Sequence, residues 1–352
     1  MPARTPDSTL HTPPALARPL PWTRCVRLAA ADIKLSHSVF ALPFALLGAL
    51  VAHEPSQRWG RLIGPLVLIG VCMVAARTWA MLVNRLADAR FDAANPRTAR
   101  RVIASGQLHA RQGWTLALAS AAVFLLACAA FWFLFANPWP IALGVPVLGW
   151  LALYSYAKRF TALCHVLLGS ALAISPIAAG LAVDPVRAFS GTSILLAGFV
   201  MLWVAGFDVL YALQDEAFDR QAGLHSIPVA VGARRGVVLA RILHAGASVC
   251  LLLASLGARG PLALGDPRLG ALMLLAWALA TALLVVEHVV LVRRGLAGLP
   301  MAFFTINGVL SLAVGTLGAI DIVLGSGHPP GVRGLDARAT GDQATGFEAT
   351  AY

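Results

Sequence analysis

Long apolar stretches separated by short polar segments dominate this chain. Nine of them are apolar enough, and about long enough, to cross the hydrocarbon core of a bilayer as helices, which takes roughly 20 residues. They cover residues 36–53, 62–83, 114–136, 139–157, 161–183, 191–214, 236–258, 269–292 and 301–324. The pattern therefore predicts an all-α, polytopic membrane protein with nine transmembrane helices around a central cavity.

The two ends of the chain lack such stretches. Residues 1–32 contain Pro, Ser and Thr but no basic start and apolar core of a signal peptide, so we predict a cytoplasmic N-terminal tail. Residues 325–352 are rich in Gly, Pro, Ala and Thr, which predicts a disordered C-terminal tail. Residues 33–324 form the predicted transmembrane domain.

Composition agrees with a membrane protein. Hydrophobic residues make up 59% of the chain and charged residues 12%, whereas soluble domains carry about 25% charged residues. A soluble enzyme and a disordered protein are therefore excluded. The five cysteines are scattered without CxxC spacing, so we interpret them as packing residues and not as metal ligands or a disulfide scaffold.

The net charge of +11 has two possible explanations. A basic protein often binds nucleic acid, but here the basic residues lie between apolar stretches. Of the 27 Lys and Arg, 19 lie in alternate connecting segments and 7 on the opposite side, while Arg77 lies within the second span. The positive-inside rule then predicts a cytoplasmic (inner) membrane protein with its N-terminus in the cytoplasm and its C-terminus outside. We expect the lipid bilayer as a partner and no nucleic acid.

Acidic residues concentrate at the predicted cytoplasmic ends of the second and sixth spans. In NRLADARFD, Asn84, Asp88 and Asp92 are spaced i, i+4, i+8, so they share one face of a helix. In DVLYALQDEAFD the spacing i, i+3, i+7, i+11 again gives one face, which carries Asp208, Tyr211, Asp215 and Asp219. One such motif alone is usually a solvated charge cluster, but two on the same side favour a shared function.

The chemistry of these motifs suits a metal-bound diphosphate. Carboxylates on one helix face repel each other, and Mg²⁺ is commonly shared between carboxylates and substrate phosphates. Arginine binds phosphate with two parallel hydrogen bonds. Basic residues follow the first motif at Arg97, Arg100 and Arg101, the fourth span at Lys158 and Arg159, and the second motif at Arg220. With apolar spans alongside, we expect a diphosphate that carries a long hydrocarbon tail.

Arg77 precedes Asn84 by seven residues and shares its predicted helix face. A charged side chain within a membrane is costly and usually faces a polar cavity. Snorkelling of the side chain to the interface is the alternative.

Together these residues resemble the UbiA superfamily of intramembrane aromatic prenyltransferases. Its first motif, N-x3-D-x3-D, is met by Asn84, Asp88 and Asp92, and its second, D-x2-Y-A-x2-D-x3-D, by Asp208, Tyr211, Ala212, Asp215 and Asp219. NPRTARRVIASG, YSYAKRF and GLHSIPVAVG are similar to further family elements. The likeness spans about residues 33 to 324. Many members have a proline before the glycine where this chain has VIASG, a departure that leaves the acidic motifs intact.

The resemblance implies Mg²⁺-dependent transfer of a polyprenyl group from polyprenyl diphosphate to the ring of a hydroxylated aromatic acid in quinone biosynthesis. It implies that Mg²⁺ is held through the diphosphate by Asn84, Asp88, Asp92, Asp215 and Asp219. It implies diphosphate binding by Arg97, Arg101, Lys158 and Arg159, catalysis by Asp208 and Tyr211, and binding of the acceptor's carboxylate by Arg77.

The acceptor and the class of protein each have alternatives. The motifs look most like the 4-hydroxybenzoate polyprenyltransferase-like branch, some of whose members act on 1,4-dihydroxy-6-naphthoate for menaquinone. A transporter of an anionic or lipid-like substrate could also use an intramembrane arginine and paired acids, but inverted repeats are typical of that class and we see no clear repeat. A lipid phosphatidyltransferase would need a D-x2-D-G-x2-A-R pattern, which is absent.

Overall fold

The structure is a computed structural model that describes residues 20–33, 41–257, 265–299 and 301–326. Within these ranges every regular element is helical, as predicted. Eight helical segments are long and apolar enough to cross a membrane, and the protein is a multi-span membrane protein. The helices in these segments are α3 (Gly60–Ala94), α4 (Ala110–Phe135), α5 (Trp139–Leu153), α6 (Cys164–Val183), α7 (Gly191–Ala212), α10 (Ala233–Ser255), α11 (Ala271–Arg294) and α12 (Asn307–Gly325).

The ninth predicted span corresponds to a shorter helix. Helix α2 covers Leu42–Ala52, which is 11 residues, whereas a straight crossing takes roughly 20. Residues 36–40 of the predicted span lie outside the described residues, as does the predicted C-terminal tail from residue 327 onwards. The prediction of nine helices is therefore close to the structure, with eight full-length spans and one short apolar helix among the described residues.

Three further α-helices among the described residues are short. Helix α1 (Trp22–Asp32) falls within the segment predicted as the N-terminal tail, but it packs on the bundle with Cys25 and Ala29 buried. Helices α8 (Glu216–Gln221) and α9 (Ile227–Val231) follow α7. Helix α1 therefore extends the folded part of the chain before residue 33.

Helix α7 lies at the centre of the bundle, packed against α6 and α10. Its Phe199 and Trp203 are fully buried and contact Phe44 of α2, with ring centroids 5.6–5.7 Å apart. The close approach of α6 requires Gly169, because a Cβ there would lie 2.3 Å from the Met201 carbonyl oxygen. The well-packed α6–α7 pair provides a rigid wall for the adjoining cavity.

The ends of α3, α5 and α7 meet on one side of the bundle, since α4 and α6 return the chain between them. Helix α3 continues to Ala94, eleven residues beyond the predicted span, so it carries the whole first acidic motif. Helix α5 ends in a 3₁₀ turn over Tyr154–Arg159. Helix α7 ends at Ala212, and a 3₁₀ turn over Leu213–Asp215 connects it to α8.

Candidate active site

A cavity of about 730 Å³ lies among helices α3 to α7. Near the shared helix ends, both acidic motifs line it. Deeper in the bundle its walls are apolar and include Phe124, Phe131, Leu143, Val147, Leu172 and Ile177. Apolar walls with a few converging polar groups are typical of ligand sites, and this division suits a ligand with a charged head and a hydrocarbon chain.

The first motif lies on one face of α3, where Asn84, Asp88 and Asp92 all line the cavity. The Asn84 Nδ2 donates to Asp88 Oδ2 at 3.2 Å. Asp88 retains 26% side-chain exposure, whereas Asp92 retains 8%. The motif thus presents one half-buried carboxylate and one buried carboxylate from the same helix.

The second motif also lines the cavity, but from three elements in succession. Asp208 and Tyr211 belong to α7, Asp215 ends the 3₁₀ turn, and Asp219 belongs to α8. The Asp208 Oδ2 lies 2.6 Å from Nδ1 of the buried His165.

Four basic residues connect the two motifs in a crossed arrangement. From the segment after α3, Arg97 contacts Asp215 at 2.5 Å and Arg101 contacts Asp92 at 2.7 Å. From the turn after α5, the other two contacts are Lys158 with Asp219 at 3.2 Å and Arg159 with Asp88 at 3.3 Å. Each basic segment therefore supplies one cation to each acidic motif.

Arg97 makes the most side-chain hydrogen bonds of these four. Its Nε and Nη2 bind both oxygens of Asp215, and its Nη1 donates to the Tyr211 hydroxyl at 3.2 Å. Partial burial lowers the pKa of Arg97, but the hydrogen bond and charge of Asp215 outweigh it, so the pKa is raised from its ordinary value. The guanidinium therefore stays charged at any working pH and can bind an anion.

Arg159 differs from the other three because it lies beside the cavity and is not among its lining residues. Its Nη2 donates to the Ala87 carbonyl at 2.6 Å, and its guanidinium lies 4.7 Å from the Tyr156 ring centroid. Arg159 therefore contacts the Asp88 carboxylate from outside the cavity.

Arg77 also lines the cavity, seven residues before Asn84 on α3. Its buried Nε has no hydrogen-bond partner among the described residues, and the same holds for the hydroxyl of Ser175, which also lines the cavity. A buried polar atom without a partner is costly. These two groups therefore suit a polar part of a ligand that binds deeper than the acidic motifs.

The donor set can be tested for its fit to Mg²⁺. No three His, Cys, Asp or Glu side chains of the described ranges converge tightly enough to enclose a metal by themselves. Mg²⁺, however, usually takes one or two carboxylates and completes its shell with waters and substrate phosphates. Carboxylates and an amide on two facing elements of one cavity fit that second mode.

The comparisons with known proteins agree with this geometry. The UbiA prenyltransferase family matches residues 41–309 of this chain. This range covers both acidic motifs and most of the helices around the cavity. The chain belongs to the UbiA prenyltransferase family.

Among UbiA relatives, the 4-hydroxybenzoate octaprenyltransferase of Azotobacter vinelandii is 31% identical over 180 residues, or 49% of this chain and 57% of the relative. The chain thus matches little more than half the length of this relative. A UbiA homologue from Aeropyrum pernix K1 has a TM-score of 0.67 at 29% identity, covering 82% of this chain and 98% of the other. A UbiA homologue from Archaeoglobus fulgidus, bound to DMAPP and Mg²⁺, has a TM-score of 0.60 at 19% identity, covering 86% and 99%; this likeness shows a shared fold.

The structure adds site residues that sequence analysis of the UbiA motifs did not select. Asn95 donates to Asp215 at 3.2 Å. Asp32 of α1 forms an ion pair with Arg85 at 3.0 Å, and Arg85 in turn donates to Asn84. Asn95 could have been found from the NPRTA segment, but nothing in the spacing connects Asp32 or His165 to the motifs.

Proposed function

We propose that this chain transfers a polyprenyl group from polyprenyl diphosphate to the ring of a hydroxylated aromatic acid of the 4-hydroxybenzoate type, with Mg²⁺ as cofactor. One observation carries the proposal: four basic residues are paired with four cavity carboxylates, two in each motif, at the mouth of an apolar chamber. The 4-hydroxybenzoate octaprenyltransferase relatives support the choice of acceptor and of a quinone pathway.

The crossed ion pairs suit a diphosphate that arrives with its metal. In the site, Asn84, Asp88, Asp92, Asp215 and Asp219 would hold the metal, which leaves Arg97, Arg101 and Lys158 to donate to phosphate oxygens, with Arg159 in support. Mg²⁺, when bound, supplies positive charge that stabilises the leaving diphosphate. The chain's own cations add to that stabilisation because they are already oriented in a site of low polarity.

The remaining steps concern the acceptor. The allylic C–O bond breaks with its electron pair on the diphosphate, and a π pair of the ring forms the new C–C bond. Apolar walls exclude water from the allylic cation, and loss of the ring proton restores aromaticity. Asp208 and Tyr211 line the cavity where they could orient the phenol or take that proton, and Arg77 would bind the carboxylate of the acid.

Isolated membranes test this function directly. Wild-type membranes receive a polyprenyl diphosphate, Mg²⁺ and either 4-hydroxybenzoate or 1,4-dihydroxy-6-naphthoate, and prenylated product and released diphosphate are measured. We expect product from 4-hydroxybenzoate, with membranes that carry Asp88→Ala as the inactive control. Product from the naphthoate alone would assign the chain to menaquinone synthesis, and product from neither acceptor would contradict the proposal.

We also propose that the helix ends that carry the motifs face the cytoplasm of a cell's inner membrane. The excess of Lys and Arg on that side supports this orientation. Reporter fusions after residues 110 and 230 should then be cytoplasmic, and one after residue 325 external. A cytoplasmic signal from the last fusion would contradict the nine-span topology.

A further inference from the structure

His165 is a fully buried imidazole that belongs to neither acidic motif. It lies near the start of α6, has 0% exposure, and is not among the residues that line the cavity. Its Nδ1 lies 2.6 Å from Asp208 Oδ2 on α7, and its Nε2 lies 3.3 Å from the backbone nitrogen of Ile227 at the start of α9. The ring therefore connects three separate elements through its two nitrogens.

The two contacts determine where the ring carries its proton. A backbone N–H can only donate, so Nε2 of His165 must accept from Ile227 and carry no proton. In the neutral ring the proton then resides on Nδ1, which donates to the Asp208 carboxylate. One partner thus fixes the tautomer that the other requires, because the hydrogen bond at one ring nitrogen determines which nitrogen is protonated.

The hydrogen bond from His165 matters for function because Asp208 lines the cavity and differs from the other acids of the motifs. Asp208 lines the cavity with 22% side-chain exposure, whereas the other four acids of the motifs are paired with Arg or Lys. Its partner is instead a neutral donor that leaves the negative charge of the carboxylate in place. Such a carboxylate is suited to accept a proton.

We propose that His165 is a positioning residue that orients Asp208 as the acceptor of the ring proton. This inference rests on the proposed function. In the step concerned, the C–H electron pair returns to the ring, the proton passes to the carboxylate of Asp208, and aromaticity is restored. Tyr211, the other candidate for this role, accepts a hydrogen bond from Arg97 and lies at the diphosphate end of the cavity.

A double-mutant cycle tests the assignment. Asp208→Asn removes the proton acceptor and should lower kcat by about 10²–10⁴-fold, while His165→Leu should lower it by roughly 10–100-fold, the cost typical of losing an outer partner of a functional group. If His165 acts through Asp208, the double variant should be no worse than Asp208→Asn alone. If the kcat losses of the two single variants multiply in the double variant, and the wild-type enzyme is active, the assignment is overturned.

Two further measurements separate positioning from general damage to the fold. His165→Gln keeps one donor and one acceptor, so it should retain most of the activity that His165→Leu loses. The KM for the prenyl diphosphate should stay near wild type in His165→Leu, because the diphosphate contacts lie elsewhere. A rise in that KM equal to the fall in kcat, or no rescue by glutamine, would contradict a positioning role.

The hydrogen bond itself can be observed without turnover. In ¹⁵N-histidine NMR spectra of the detergent-solubilised protein, the signals absent from His165→Gln should show a proton on Nδ1 and none on Nε2, and Asp208→Asn should shift them. The opposite tautomer would overturn the inference. A wild-type protein that forms no product overturns the proposed function and this role with it, whereas an active enzyme with additive effects overturns this role alone.

Discussion

The two acidic motifs reach the same cavity by different local structures. The first lies on the uninterrupted helix α3, and its members remain close enough for Asn84 to bond Asp88 directly. The second is divided by the 3₁₀ turn at Leu213–Asp215. A short 3₁₀ stretch within a helix often marks a functional position.

The difference changes what each carboxylate contacts. On α3 the acids are held by the helix itself, and their cations come from two other segments. In the second motif Asp208 is directed to His165, Asp215 to Arg97 and Asp219 to Lys158. The regular helix therefore provides spacing, whereas the broken one distributes neighbouring acids among separate tasks.

Metal removal should have the largest effect because, in the proposed mechanism, both motifs hold Mg²⁺. Excess EDTA should lower turnover in membranes by more than about 10³-fold, since a single electrostatic contact at a leaving group is already worth about 10²–10³. Added Mg²⁺ should restore turnover, measured as released diphosphate. Turnover that persists in chelator would exclude this mechanism for both motifs.

Replacing a single carboxylate should cause the next largest loss of activity, and the size of the loss should differ between the two motifs. Asp88→Ala and Asp215→Ala should each reach the membrane at near wild-type level and lose about 10²–10³ in rate. Asp215→Ala should lose more, because Arg97 and Asn95 also lose their partner. Kinetic assays on membranes with matched protein content measure this difference.

Glu216→Ala is the matched control for Asp215→Ala. Glu216 is the adjacent acid, pairs with Arg220 at 2.9 Å and does not line the cavity. It should keep near wild-type activity. If Glu216→Ala lost as much activity as Asp215→Ala, net acidity and not position would explain the motif.

Replacing one of the crossed cations should have a smaller effect, and this effect should be mainly on substrate binding. Arg97→Gln and Arg101→Gln should each raise the KM for the prenyl diphosphate by roughly 10–100-fold, the equivalent of the 1.5–3 kcal/mol typical of a charged hydrogen bond. Arg97→Gln should be the more severe because Arg97 holds Asp215 with two bonds. The exposed Arg100, replaced by Gln, is the control; an equal effect there would indicate long-range electrostatics.

Local patterns in the sequence predicted the helices and the shared face of the first acidic motif. Apolar runs give spans because hydropathy is a local property, and i, i+4 spacing put Asn84, Asp88 and Asp92 on one face because α3 is regular there. The turn at Leu213–Asp215 was not predictable, since no proline or glycine marks it.

Contacts between distant segments were also beyond the sequence patterns. His165 and Asp208 are 43 residues apart, and Asp32 and Arg85 are 53 apart. Neither pair has a spacing rule that would connect them. Their pairing depends on how α6 packs on α7 and α1 on α3, and a single sequence does not contain that information in any local pattern.

Arg77 provides the most specific test, because it lies on α3 like the first motif but outside the crossed ion pairs. Arg77→Ala should raise the KM for the aromatic acid by roughly 10–100-fold, since a charged hydrogen bond to the carboxylate is worth about 1.5–3 kcal/mol. The KM for the prenyl diphosphate should change much less. Arg61→Ala, an exposed arginine earlier on α3, should change neither.

Comparing a charged acceptor with an uncharged one makes the Arg77 test more specific. Wild-type enzyme should prefer 4-hydroxybenzoate over 4-hydroxybenzamide, which has the same ring and hydroxyl but no negative charge. If Arg77 binds the carboxylate, Arg77→Ala should abolish that preference while it retains slow transfer to both acceptors. A preference that survives the substitution would mean that another residue binds the acid, and equal losses for acid and diphosphate would mean that Arg77 supports α3 or the first motif. Comparing the two acceptors therefore separates recognition of the acid from the electrostatics that both acidic motifs share.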